Sequence, residues 1–292
     1  MIYDIRQTTA YAYASKVGFA RHVLRLTPID RPRQRVHAAA LDIVPKPAAW
    51  REGQDFFGNR TTRVLLDEPH DRLVVNVAAR VVVNDVEESA PSDTPSWETI
   101  RDEVFATHAL GPTAPIHFVF PSRQVSLTAE IRSYAAESFV PRRPVLEGSI
   151  ALMRRIKTDF AYQIGATTVS TTPERSFALR RGVCQDFAHV MIAGMRGLGL
   201  PVAYVSGYLR TVERSATAKL AGADAMHAWV QVWCGAKAGW CGLDPTNAMV
   251  VGEDHVVLAL GRDYADVAPI DGIVFGSGAQ RLDVTVSVTP LG

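Results

Sequence analysis

Pro, Gly, Asp and Asn punctuate the first 85 residues at intervals of about ten. That spacing leaves little room for long helices and suits a series of short strands. The segments between the turns support this. "IYDIRQTTAYAYAS" alternates in part, and "RHVLRLTPI", "RVHAAALDIVP", "NRTTRVLLD" and "RLVVNVAARVVV" continue the run. The pattern predicts a small antiparallel β-sandwich over residues 1–88. The polar, Pro- and Ser-rich "ESAPSDTPSWE" (88–98) places a domain boundary there, with residues 89–292 as a second domain.

Past the boundary the period changes. "PSRQVSLTAEIRSYAAESF" and "EGSIALMRRIKTDFAYQ" carry apolar residues at helical spacing; in the second, Ile150, Met153, Ile156 and Phe160 recur every three or four positions. From Pro201 the pattern turns to strands: "PVAYVSGYLRTV", "MHAWVQVWC", "GWCGLD", "HVVLALG" and "RLDVTVSVTP". Helices first and strands second is an α+β layout. The stretch His189–Leu209 carries one charge, Arg196, and invites a membrane reading. Its glycines and Pro201 fit better with a helix that ends at "GLGLP" and a buried strand after it. The first residues lack an uninterrupted apolar run, so no secretory signal is expected. Lys and Arg total 31 against 30 Asp and Glu, which argues against nucleic acid or an anionic membrane as the main partner. Three cysteines do not make a disulfide framework, and a cytoplasmic, reducing compartment is the default.

One of those cysteines sits in "RGVCQDFAHV". Val183–Leu198 reads as an amphipathic helix, with Phe187, Val190, Met191, Gly194, Met195 and Leu198 on one face. Cys184 is therefore expected in or beside the first turn, near free N–H groups and the positive end of the helix dipole. Such a place favours the thiolate, the nucleophilic form; the alternative is a small buried side chain. Gly182 leaves room for a sharp turn beside the sulfur. His189 is close in sequence but about 140° round the helix from Cys184, so it reads as a helix-face or core-edge residue. His227 opens "HAWVQVW", in which His227, Trp229, Gln231 and Trp233 share a strand face. A strand crossing the helix start can bring this imidazole to the thiol as its base. Asp244, at the end of the next strand past a hairpin at "CGAKAG", can orient that base; its alternative is a turn-forming role before Pro245.

"RGVCQDFAH", "HAWVQVW" and "WCGLDPTN", in that order, resemble the core of the transglutaminase-like superfamily. "YAYASKVGFARHVLRLTP" (11–28), "DFFGN" (55–59) and "LGRDYADVAPIDGIVFG" (260–276) are similar to a bacterial subfamily with an N-terminal β-region. The resemblance implies a papain-like α+β core, helices packed on an antiparallel sheet, behind the β-sandwich. It implies Cys184 as nucleophile, His227 as base and Asp244 as orienting acid, acting on a peptide or protein amide through a thioester that water or an amine resolves. The Cys184 N–H is expected to supply one oxyanion donor, with the second unassigned. Alternatives are a scaffold without turnover, or a subunit that needs a protein partner on the β-domain. No metal or organic cofactor is implied.

Other residues carry two readings each. Cys234 and Cys241 flank the hairpin and read as buried small residues rather than a disulfide or zinc pair. Asp186 reads as a structural acid near the helix start, pointing away from the sulfur. "GRDYADVAP" is either a loop closed by a salt bridge or a wall of the cleft. Trp229, Trp233 and Trp240 read as core packing ahead of a substrate groove.

Overall fold

The computed structural model describes residues 1–85, 90–210, 226–276 and 278–291. Residues 88 and 89 of the expected linker, and 211 and 212 of the expected strand "PVAYVSGYLRTV", lie outside the described residues. The chain opens with β1 (Ile2–Val17), β2 (Phe19–Leu24), β3 (Gln34–Val44), β4 (Ala49–Gln54), β5 (Arg60–Leu66) and β6 (His70–Val83). The middle holds α1 (Trp97–Ala106), α2 (Ala129–Ala136), α3 (Val145–Asp159), β7 (Ala161–Tyr162), α4 (Pro173–Leu179), β8 (Arg181–Gly182) and α5 (Cys184–Gly197). Then come β9 (Val202–Leu209), β10 (Met226–Trp233), β11 (Trp240–Asp244), β12 (Met249–Val250), β13 (His255–Gly261), α6 (Tyr264–Val267), β14 (Ile270–Phe275) and β15 (Gln280–Leu291).

The β-region is a pair of antiparallel sheets, ordered β15-β1-β6-β3 and β14-β2-β5-β4. Its last two strands correct the expected division of the chain. β15 pairs with β1 and β14 with β2, so these two strands return to the first domain instead of ending in the second. Their exposed alternation looks the same in sequence wherever they pair; the choice of partner is a tertiary matter. Strand β6 shows how the region is fastened to the rest. Leu73, Val75, Val77, Ala79, Val81 and Val83 alternate inward along it. The first three join a core with Val17, Leu24, Val64 and Leu66 between the two sheets. The last three join a second core with Tyr208, Val256 and Leu258 from β9 and β13. One strand face thus serves two cores.

The five-stranded antiparallel sheet runs β12-β11-β10-β9-β13, and all eight residues of β9 are buried. Ser96, Thr128 and Thr172 cap α1, α2 and α4 with their hydroxyls. Helix α5 is enclosed by α2, α3, α4, β9 and β10, so every residue from Gln185 to Arg196 is buried. At Gly194 a Cβ would come within 2.7 Å of the Ala135 Cβ, and its absence lets α2 cross closely. Arg196, the one charge of the apolar window, is buried among carbonyls of Val202, Arg262 and Phe120. Burial pulls its guanidinium down to about 9. Among the described residues no helix is long and apolar enough to cross a membrane.

Edge strand β13 is closed off by two side-chain amides from the β-region. Gln34 accepts from the Val257 N–H and donates to its carbonyl at 2.8 and 2.9 Å. Asn59 does the same at Leu260, at 2.8 and 2.7 Å. Each amide replaces one residue of a missing neighbour strand. "DFFGN" supplies the second: Asp55 accepts from the N–H groups of Phe57 and Asn59 and from the Asn59 amide, which fixes that side chain.

Candidate active site

Cys184 is the first residue of α5 and is half-buried. The Asp186 carboxylate, three residues past Val183, reaches back to accept from the Val183 N–H at 2.8 Å and the Thr167 hydroxyl at 2.7 Å. That leaves the next N–H groups, of Cys184 and Gln185, without an intrahelical acceptor. Burial pushes the Asp186 carboxyl up, against these two donors, which favour its anion. Gly182 matters here for a reason other than room beside the sulfur: a Cβ there would collide with the Asp186 carboxylate. The parallel pair β7–β8 continues in the bond from Gln163 N–H to the Gly182 carbonyl, and the Gln185 amide donates to Val169. The loop between is therefore tied to the helix start.

His227 lies one residue into β10, opposite Gly207 of β9. β10 and β11 form the expected hairpin, with Gly235 and Gly239 at positive φ. The pairing brings His227 Nε2 to 2.8 Å from Asp244 Oδ2, both side chains fully buried. Asp244 is also the turn residue: its Oδ1 accepts from the N–H groups of Thr246 and Asn247, at 2.9 and 3.2 Å. Oδ2 takes a further bond from the Asn247 side chain at 2.8 Å. The two readings of this residue are compatible because each uses a different oxygen.

The charges follow. Burial pulls the His227 ring down, but the Asp244 charge and hydrogen bond, and then the Cys184 thiol, outweigh it and push the ring up to about 10. Burial alone would raise Asp244; the His227 charge and bond, then His255, hold it well below the usual carboxylate range. The upward direction favours the imidazolium form of His227 at neutral pH. Its Nδ1 is buried and has no hydrogen-bond partner among the described residues, which leaves that nitrogen for the thiol. Tyr162 and Tyr204, raised chiefly by burial and then by Cys184, share the surroundings of the sulfur.

His189 stands elsewhere. Its Nε2 accepts from the Tyr264 N–H at 3.2 Å, and burial lowers the ring to about 4, so it is a neutral acceptor. "GRDYADVAP" holds an Arg262–Asp266 pair at 2.8 Å, while buried Asp263 caps α6 and accepts from the Gln124 N–H. Trp229 is fully buried against His255; Trp233 and Trp240 meet edge to face at the hairpin. Cys234 and Cys241 are buried, and their thiols donate to the Val232 and Ala238 carbonyls. Sequence reading missed Asn247 and His255. The first had a signal, an Asx turn in "DPTN". The second had none, because its place depends on which strand β13 joins.

Residues 3–82 match the bacterial transglutaminase-like N-terminal region, and residues 132–245 match the transglutaminase-like superfamily. An uncharacterized protein of Mycobacterium tuberculosis (strain H37Rv) is 37% identical over 99% of this chain and 92% of its own length. One from Mycobacterium leprae is 32% identical over 97% of each. A solved Cytophaga hutchinsonii structure, described as a proposed cysteine protease, covers all of this chain and 92% of its own with a TM-score of 0.73. At 22% identity that likeness shows the fold. The chain therefore belongs to the transglutaminase-like superfamily and carries the bacterial N-terminal region ahead of the core.

Proposed function

We propose that this chain is a cysteine-dependent amide-bond enzyme that works through a thioester on a peptide or protein substrate. The single observation that carries the reading is the buried His227–Asp244 pair at 2.8 Å, with the ring's other nitrogen left for Cys184 at a helix start. In this reading the Cys184 sulfur attacks the amide carbonyl carbon. The first N–H groups of α5 face the developing oxyanion. His227 gives its Nδ1 proton to the leaving amine as the C–N bond breaks, and a thioester remains. Water, or an amine in the transfer variant, then attacks the thioester while His227 takes its proton, and the thiolate leaves. Asp244 keeps the ring's tautomer and orientation throughout. A reducing, cytoplasmic setting belongs to the proposal, since the reaction needs Cys184 as a reduced thiol.

The test is intact-mass detection of a covalent acyl adduct over a peptide and amide library, with and without a primary amine. The adduct is expected on the parent and absent from Cys184→Ala, whose fold persists. A thiol-directed electrophile should label the parent at Cys184, since Cys234 and Cys241 are buried. Equal labelling of the alanine variant would remove the nucleophile assignment. A second reading, a subunit that needs a partner on the β-region, is favoured by exposed Ile273 and Phe275 on β14 and Leu282 on β15. Activity that appears only with a co-purifying protein would select it.

A further inference from the structure

We propose that His255 is a positioning residue of this site: its imidazole shares the Asp244 carboxylate with His227 and limits how tightly Asp244 holds the His227 ring. The inference rests on the reading of Cys184, His227 and Asp244 given above.

Three side chains meet Asp244 Oδ2. His227 Nε2 and the Asn247 amide are each at 2.8 Å, and His255 Nε2 approaches to 3.5 Å. Both imidazoles and the carboxylate are fully buried, so water does not screen them from one another. Neither ring nitrogen of His255 makes a full hydrogen bond among the described residues. A buried polar ring left unsatisfied is destabilising, so simple core packing does not account for a histidine here. The ring is also held in place. Trp229 meets it edge-on at 5.2 Å, the His255 backbone pairs with Leu209, and two residues on the Gln34 amide clamps Val257.

One carboxylate oxygen therefore faces two imidazoles, and the part of its charge drawn by the His255 N–H is withdrawn from His227. Without His255, Asp244 would bind the His227 imidazolium more tightly. That ring would then be a poorer proton donor to the leaving amine. The other groups facing the pair are Cys184 from α5, with Tyr162 and Tyr204 beside it. Tyr3, Asp254 and Arg210 form a separate linked cluster next to the start of β13. All of these remain in the variants.

The experiment follows Cys184 alkylation by iodoacetate against pH on the full chain, together with turnover of a substrate found in the library. Iodoacetate is an anion, so the alkaline fall in its rate reports loss of the His227 charge. His255→Leu should move that alkaline limb upward by about half a pH unit or more and slow turnover about tenfold. His255→Gln, which keeps an N–H toward Asp244, should stay near the parent in both. If the leucine variant does not fold, His255→Asn, whose amide falls short of Asp244, carries the same expectation. An alkaline limb unmoved in the leucine or asparagine variant, with only the melting temperature lowered, overturns the proposal and leaves His255 structural. A parent profile that His227→Ala does not change instead overturns the underlying site, and this inference with it.

Discussion

Asp244 uses one oxygen to hold a turn and the other to hold an imidazole. Replacing it with asparagine keeps the shape and removes the charge. Asp244→Asn should lower turnover by about 10²–10⁴-fold while Cys184 stays open to labelling. The pair also ties stability to pH. The His227 ring is raised from 6.5 to about 10, so its contribution is full below about 6.5 and is lost as pH rises toward 10. Asp244 is held low, so its side of the same interaction persists at neutral pH and fails only in strong acid. Denaturant unfolding at pH 6 and pH 10 should show the parent losing on the order of a few kcal/mol, and Asp244→Asn losing much less. At this scale the place of Cys184 at a helix start and the His227–Asp244 contact were legible, because each residue stands at a marked place: a helix start, a strand start and an Asp-Pro turn. His255 was not, since nothing about the first residue of an apolar strand says what lies beside it.

Helix α5 starts where it does because Gly182 and Asp186 act together. The carboxylate takes the Val183 N–H, and glycine leaves it the space to do so. Asp186→Ala should cost about 1 kcal/mol in thermal unfolding, as for a lost cap. Gly182→Ala should cost about 1–3 kcal/mol, because side chain and carboxylate compete for one volume. It should also slow Cys184 labelling, since the first turn must shift; labelling at the parental rate would show that the turn absorbs the methyl group elsewhere. The helical period in the sequence predicted this element and its apolar face. It did not predict that the remaining faces are buried too, because that depends on α2, α3, α4 and the sheet closing round it.

The two regions of the molecule are joined by a shared strand face, two amide clamps and a C-terminal return. Ending the chain after Ala268 would remove β14 and β15 and open the edges of β1 and β2. Such a truncation should abolish soluble, cooperative folding of both regions; a stable catalytic core melting as the parent does would show that they are independent. Gln34→Leu and Asn59→Leu should each loosen β13 and raise hydrogen exchange at Val257 and Leu260 respectively, with smaller effects elsewhere.

The local order of the elements is written in the chain. Turn spacing called for strands, the three-and-four period for helices, and three short motifs for a thiol, an imidazole and a carboxylate in chain order. Those signals are local, because backbone geometry and hydrophobic period act over a few residues. Folding in three dimensions settled the rest: β14 and β15 complete the first sheets, "DFFGN" closes the edge of β13, and a second imidazole faces Asp244. Strand partners and buried charge contacts join residues far apart in the chain, and their energies depend on burial that exists only after the cores have formed.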